Sequence, residues 1–126
     1  MAEFIVKDSG ERIAFDGGMV RDITDGKIDY SLVYDGPLFQ RWAAHMTRGA
    51  QKYKARNWLK ASGPEEKARF LESLIRHFSQ FVLEELGQLP LDEQGDDHAS
   101  SIVFNLNGYL LMKARLDADH QEAGHE

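Results

Sequence analysis

Two acidic side chains stand where apolar ones belong, and carboxylates so placed are suited to holding a cation. Between Glu65 and Leu86 the chain reads as an amphipathic helix, with Phe70, Leu71, Leu74, Ile75, Phe78, Phe81 and Val82 on one face. At about 100° per residue, these side chains sweep an arc of roughly 140°. Glu85 projects near its middle, while His77 and Glu84 lie at its border. A later helix, from about Asp96 to Leu116, is apolar nearly all round. Its polar notch holds Asp97, Ser101, Asn105 and, at the edge, His98. A carboxylate in an apolar face is costly unless something pairs with it. Glu85 and Asp97 on neighbouring helices therefore point to a shared cation. An oxygen-rich site without sulfur suits Mg²⁺ or Mn²⁺ better than zinc.

Plainer readings compete at each position. If the helix frays before Gly87, Glu85 is simply exposed at its end. A lone His beside a core, such as His77, is more often packed than catalytic. Asp96 and Asp97 both fit an N-cap. A cap does not account for Asn105, well inside the helix, and a buried Asn needs partners.

A different chemistry is concentrated in Gln51-Lys52-Tyr53-Lys54-Ala55-Arg56-Asn57-Trp58, where cations and aromatics interleave in an otherwise acidic chain. Exposed Lys and Arg usually only solvate a surface. Here Tyr53 and Trp58 offer stacking planes beside phosphate-binding donors, the combination that nucleotide recognition requires.

The elements that must position these groups follow from local signals. Residues 3–15 alternate weakly around Asp8-Ser9-Gly10-Glu11, which reads as a hairpin turn. From Asp16 to Gly36 the composition is that of a loop, with a short extended piece near Tyr30–Val33 and a turn carrying Lys27. A loop of that length in a compact domain is more often functional than idle. The first helix starts at Asp35 or Gly36, with Pro37 in its first turn and Leu38, Phe39, Trp42, Ala43, Met46 and Ala50 as its buried stripe. Gly49 is a point where it could break. Ser62 and Glu65 resemble a capping box ahead of the second helix, which runs from Pro64 to a C′ glycine at Gly87. The reading is one domain, with a hairpin and loop over residues 1–35, a helical core over 36–116 and a fraying tail over 117–126.

Bulk properties narrow the classes. The chain has 126 residues, no cysteine and a net charge of −6. Disulfides, thiolate zinc sites and a cysteine nucleophile are excluded. The negative balance argues against direct nucleic-acid binding, because phosphate-backbone affinity needs a positive surface. No apolar run approaches the roughly 20 residues that span a bilayer, and MAEFIVKD lacks the regions of a signal peptide. The expectation is a soluble, cytoplasmic protein.

Four segments, FDGGMVRDITDGKIDYSLV, RGAQKYKARNW, RFLESLIRHFSQF and LDEQGDDHASSIVFN, occur in this order. Together they resemble the phage dATP/dGTP diphosphohydrolase family, small MazG-like proteins. The likeness spans residues 15–112. It rests on Gly49, Ala50, Lys52, Tyr53, Arg56, Asn57 and Trp58, on Arg76 and His77, and on Asp92, Glu93, Gly95, Asp97, His98 and Asn105. The chain departs from the family in having Glu84-Glu85 where Gly-Glu is frequent, and it lacks a literal E-x-x-E plus E-x-x-D signature.

The resemblance implies an all-α helical bundle of the MazG-like NTP pyrophosphatase type, with the irregular N-terminal segment and its hairpin outside it. It implies metal-dependent hydrolysis of dGTP or dATP to the monophosphate and pyrophosphate, more than one Mg²⁺ or Mn²⁺ ion, and a homo-oligomer, dimer or tetramer. The implied setting is the purine dNTP pool of phage DNA synthesis in the host cytoplasm. In that scheme Glu85 and Asp97, helped by Glu84, Asp96 or His98, hold the metal. His77 positions the water or supports a metal ligand from behind, Lys52, Arg56 and Arg76 clamp phosphates, and Tyr53 or Trp58 stacks on the base. Asn57 or Asn105 bonds its edge or the sugar, and the loop at Lys27 closes over the ligand. The reading from another class is a non-catalytic helical nucleotide-sensing or interaction module.

Overall fold

The computed structural model describes residues 8–123. The chain divides into two compact units, with the boundary in sequence between Val33 and Tyr34.

The first unit is built on an antiparallel hairpin, β1 (Arg12–Ala14) and β2 (Val20–Asp22), with Arg12 opposite Asp22, Ile13 opposite Arg21 and Ala14 opposite Val20. The turn that closes it is Phe15–Met19, not Asp8–Glu11. Phe15 N–H donates to the Met19 carbonyl and Gly18 N–H to that of Phe15. Gly18 has φ +91°, which a Cβ would disfavour. The expected first arm, residues 3–7, lies outside the described residues. Asp8 and Ser9 instead feed side-chain contacts: the Ser9 hydroxyl, Arg12 and Lys27 all converge on Asp22. Tyr30–Val33 forms a 3₁₀ turn rather than an extended piece, because Asp29 accepts from both the backbone N–H and the hydroxyl of Ser31.

The second unit is all-α. Helix α1 spans Leu38–Tyr53, α2 spans Pro64–Glu85 and α3 spans His98–Ala123, with short 3₁₀ turns at Asn57–Lys60 and Leu91–Glu93. Gly49 does not interrupt α1, and α3 runs beyond Leu116 to Ala123. Helix α2 begins at Pro64 as its sequence predicts, but the capping residue is Gly63, one place later than Ser62. Its backbone N–H donates to Glu66 Oε2 at 2.9 Å, the half of a capping box that needs no N-cap side chain. At the other end Gly87, φ +69°, and Gln88 donate to the carbonyls of Glu84 and Leu83. This is the Schellman pattern that a C′ glycine permits.

Helix α3 is central, packing most extensively on α2 and less on α1. The stripe it buries is His98, Ser101, Asn105, Gly108 and Met112, spaced three and four apart as one helical face requires. Gly108 belongs there because a Cβ would overlap the Phe70 ring of α2. On α1 the packed positions are Trp42, His45, Met46, Gly49 and Ala50, while Leu38, Phe39 and Ala43 are exposed, contrary to expectation.

Candidate functional site

The start of α3 is held by Asp97, the true N-cap, and not by Asp96. Its carboxylate accepts from the Ser100 backbone N–H at 3.1 Å and the Ser100 hydroxyl at 2.7 Å. Arg41 of α1, 56 positions away in sequence, closes on the same carboxylate as a fork, Nε at 3.2 Å and Nη2 at 2.6 Å. The Arg41 hydrogen bond, with those from Ser100, holds the Asp97 carboxyl well below its usual range against the opposing effect of burial. Glu84 adds a favourable charge near Arg41.

Next to this pair lies a histidine contact. His77 of α2 and His98 of α3 approach Nδ1 to Nδ1 at 3.1 Å, and His98 Nε2 lies 3.1 Å from the Glu93 carbonyl. A carbonyl only accepts, so His98 carries its proton on Nε2. With both rings neutral, His98 Nδ1 must accept and His77 Nδ1–H must donate. The lone pair of His77 is then on Nε2. Burial first, then the neighbouring His98 and Arg76, lower the His77 pKa.

His77 lines a polar cleft of about 650 Å³ with His45, Arg48, Asp96, Asp97 and Ser101. A second, more apolar pocket of about 260 Å³ opens along the end of α1, lined by His45, Met46, Tyr53, Asn57, Trp58 and Phe104 among others. Its wall is made by an unusual turn. Lys54 and Arg56 both have positive φ, 79° and 63°, which side-chain-bearing residues rarely adopt, and this reversal brings Asn57 and Trp58 back beside Tyr53. Arg115 fixes the turn to α3 by donating to the carbonyls of Leu59 and Ala61, each at 2.9 Å. Phe104 forms the floor, edge-on to Trp58 at 6.0 Å and tilted against His45 at 5.8 Å. Burial, then the charge of Arg48, lowers the His45 pKa.

The structure thus brings Tyr53, Arg56, Asn57 and Trp58 to one pocket, and His77, Asp96 and Asp97 to the other. Within the second unit it does not bring in the remaining expected residues. Glu85 is exposed on the last turn of α2, because the face that packs on α3 is centred near His77, at the border of the apolar arc, and takes in only its edge at Phe70 and Leu74. Glu84 is exposed as well. His98 is buried, with both ring nitrogens engaged. Asn105 is buried and donates to the Ser101 carbonyl one turn back. Arg76 pairs with Glu72, and Lys52 lies over the Tyr53 ring, 4.9 Å from its centroid. Lys27 pairs with Asp22 at 3.1 Å within the first unit.

Among the described residues no three His, Asp or Glu side chains are grouped to hold a metal ion. The donor at the cleft that suits a hard cation is Asp96, and an ion that arrives with substrate phosphates needs only one or two protein carboxylates. Four residues of this region, Arg41, His45, Arg48 and Arg115, were not singled out by sequence. Only His45 had a readable signal, at the border of the apolar stripe of α1 beside Trp42.

An all-α unit with a stacking pocket beside a basic and acidic cleft has the parts of a nucleotide-handling protein. Over residues 18–121 the chain matches the family described as dATP/dGTP diphosphohydrolase, N-terminal, and it belongs to that family. No curated protein and no solved structure matches it. No helix among the described residues is long and apolar enough to cross a membrane.

Proposed function

We propose that this chain hydrolyses purine deoxynucleoside triphosphates, dGTP, dATP or both, to the monophosphate and pyrophosphate. The observation that carries this reading is the meeting of an aromatic pocket with a polar cleft in a chain of this family. The base stacks on Tyr53 or Trp58 with Asn57 at its edge, and Arg48 in the cleft holds phosphate oxygens. Water attacks the α-phosphorus, the bond from that phosphorus to the bridging oxygen breaks, and pyrophosphate leaves. The Nε2 lone pair of His77 takes the proton that the water gives up.

The reading includes Mg²⁺ or Mn²⁺, held by Asp96 together with substrate oxygens. Asp97 joins them if Arg41 turns to the phosphates. When bound, such ions neutralise charge on the transferring phosphorus and its leaving group. It also includes a dimer or tetramer, supported by the stripe of exposed apolar residues on α2, Leu71, Ile75, Phe78, Val82 and Leu86. The setting proposed is the purine dNTP pool of phage DNA synthesis in the host cytoplasm, without direct nucleic-acid binding.

Pyrophosphate release from a panel of dNTPs, with Mg²⁺ or Mn²⁺ and then with EDTA, tests the proposal. Metal-dependent release from dGTP or dATP is the expected result, with His77→Ala lowering kcat by about 100-fold or more. Nucleotide binding without turnover selects the sensing module instead. The engagement of both Asp97 oxygens by Arg41 and Ser100 speaks for that second reading.

A further inference from the structure

Among the described residues, His45 is the one side chain that lines both the aromatic pocket and the polar cleft. Helical spacing explains how. Met46 and Gly49 follow it on the aromatic side, while Arg48 reaches the cleft. A ligand with a flat head in the first site and an anionic tail in the second must cross the imidazole. In a nucleotide, the sugar is the part that lies between base and phosphates.

We infer that His45 reads the sugar, its ring hydrogen-bonded to the 3′-hydroxyl, while the Phe104 ring beside it offers a 2′-hydroxyl no polar partner. This rests on the nucleotide reading of the two pockets but not on turnover. The contact between His45 and Phe104 is ring to ring, 5.8 Å between centroids, and occupies no imidazole nitrogen. A neutral imidazole has one donor and one acceptor, and a hydroxyl can use either. An apolar ring at the neighbouring position leaves an added hydroxyl desolvated and unpaired, which disfavours the ribonucleotide.

Calorimetric titration of the full chain with dGTP, 2′,3′-dideoxy-GTP and GTP, in EDTA so that nothing is turned over, tests the inference. The wild-type chain is expected to bind dGTP about tenfold more tightly than the dideoxy analogue, the size of one net hydrogen bond. It is expected to bind dGTP more tightly than GTP. In His45→Ala the preference for dGTP over the dideoxy analogue falls to within about twofold, and His45→Gln, which keeps a donor and an acceptor, retains part of it. Circular dichroism confirms folding, and if His45→Ala is unfolded the comparison rests on His45→Gln and His45→Phe. An unchanged preference in a folded variant without the imidazole overturns the inference. A wild-type preference for GTP overturns the role of Phe104. If no nucleotide binds, in EDTA or with Mg²⁺ restored, both this inference and the reading of the pockets fail. If nucleotide binds with the expected His45 dependence but no pyrophosphate is released with metal, only the catalytic proposal fails.

Discussion

The two faces of α2 are the reverse of what its composition suggests. Toward α3 the helix presents Phe70, Ser73, Leu74, His77 and Gln80, and the stripe it meets is His98, Ser101, Asn105, Gly108 and Met112. Away from α3 it presents Leu71, Ile75, Phe78, Val82 and Leu86, between 40% and 62% exposed. Shape and polar complementarity select the inner contact, in the Phe70 ring seated on Gly108 and in the histidine pair. Apolar area is left outside. A single exposed Leu is ordinary, but a contiguous stripe of five large apolar side chains calls for a cover.

The strongest way to break this comparison is to charge the outer face. Ile75→Asp combined with Phe78→Asp is expected to convert an oligomer to a 14.3 kDa monomer in sedimentation, while each secondary-structure element persists. If both side chains anchor the interface, association weakens by about 4 kcal/mol or more. A wild-type chain that already sediments as a monomer removes self-association as the purpose of the stripe.

The inner face is tested by glycine. Gly108→Ala forces the Phe70 ring to move and is expected to destabilise the chain by about 1–3 kcal/mol in denaturant unfolding. The same change at Gly49, where an added Cβ meets nothing within 4 Å, is expected to stabilise α1 by up to about 1 kcal/mol. Equal effects at the two sites would show that the Phe70–Gly108 contact does not select the seam.

The smallest effect expected is that of pH. His45 and His77 both have pKa values lowered from 6.5 in the folded chain, so the unfolded chain binds protons first as pH falls. Stability is therefore full above pH 6.5 and declines below it, toward the folded values of the two rings. Thermal midpoints between pH 8 and pH 5 should show this decline, and His77→Gln should flatten part of it. A profile that is level across that range would contradict the lowering of the His45 and His77 pKa values by burial. Acid below 3.8 adds a second loss as Asp97, lowered chiefly by Arg41, takes up its proton.

Much of the architecture was legible before any packing was known. Pro64 and Gly87 bracket α2 because a missing N–H suits a first turn and a left-handed C′ suits glycine. Tyr53, Arg56, Asn57 and Trp58 read as a ligand-contacting block, and they do line one pocket. Glu85 failed as a buried group for a specific reason. The face that packs is offset to the border of its arc, and periodicity cannot say where on such an arc a partner helix lands. A hairpin turns at Phe15–Met19 on Gly18, inside a stretch whose composition reads as loop, while Asp8–Glu11 serves side-chain contacts to Arg12 and Asp22.

Periodicity and cap chemistry act over a few residues, so residue order alone sufficed for the existence, type and approximate ends of the three helices, and for the basic aromatic block. Whether Asp97 would face a cation or an arginine 56 positions distant depended on how α1 crosses the start of α3. So did the placing of His45 between two pockets and the turning inward of a polar stripe. Such crossings are set by side chains from separate helices fitting together, and no local pattern records that fit.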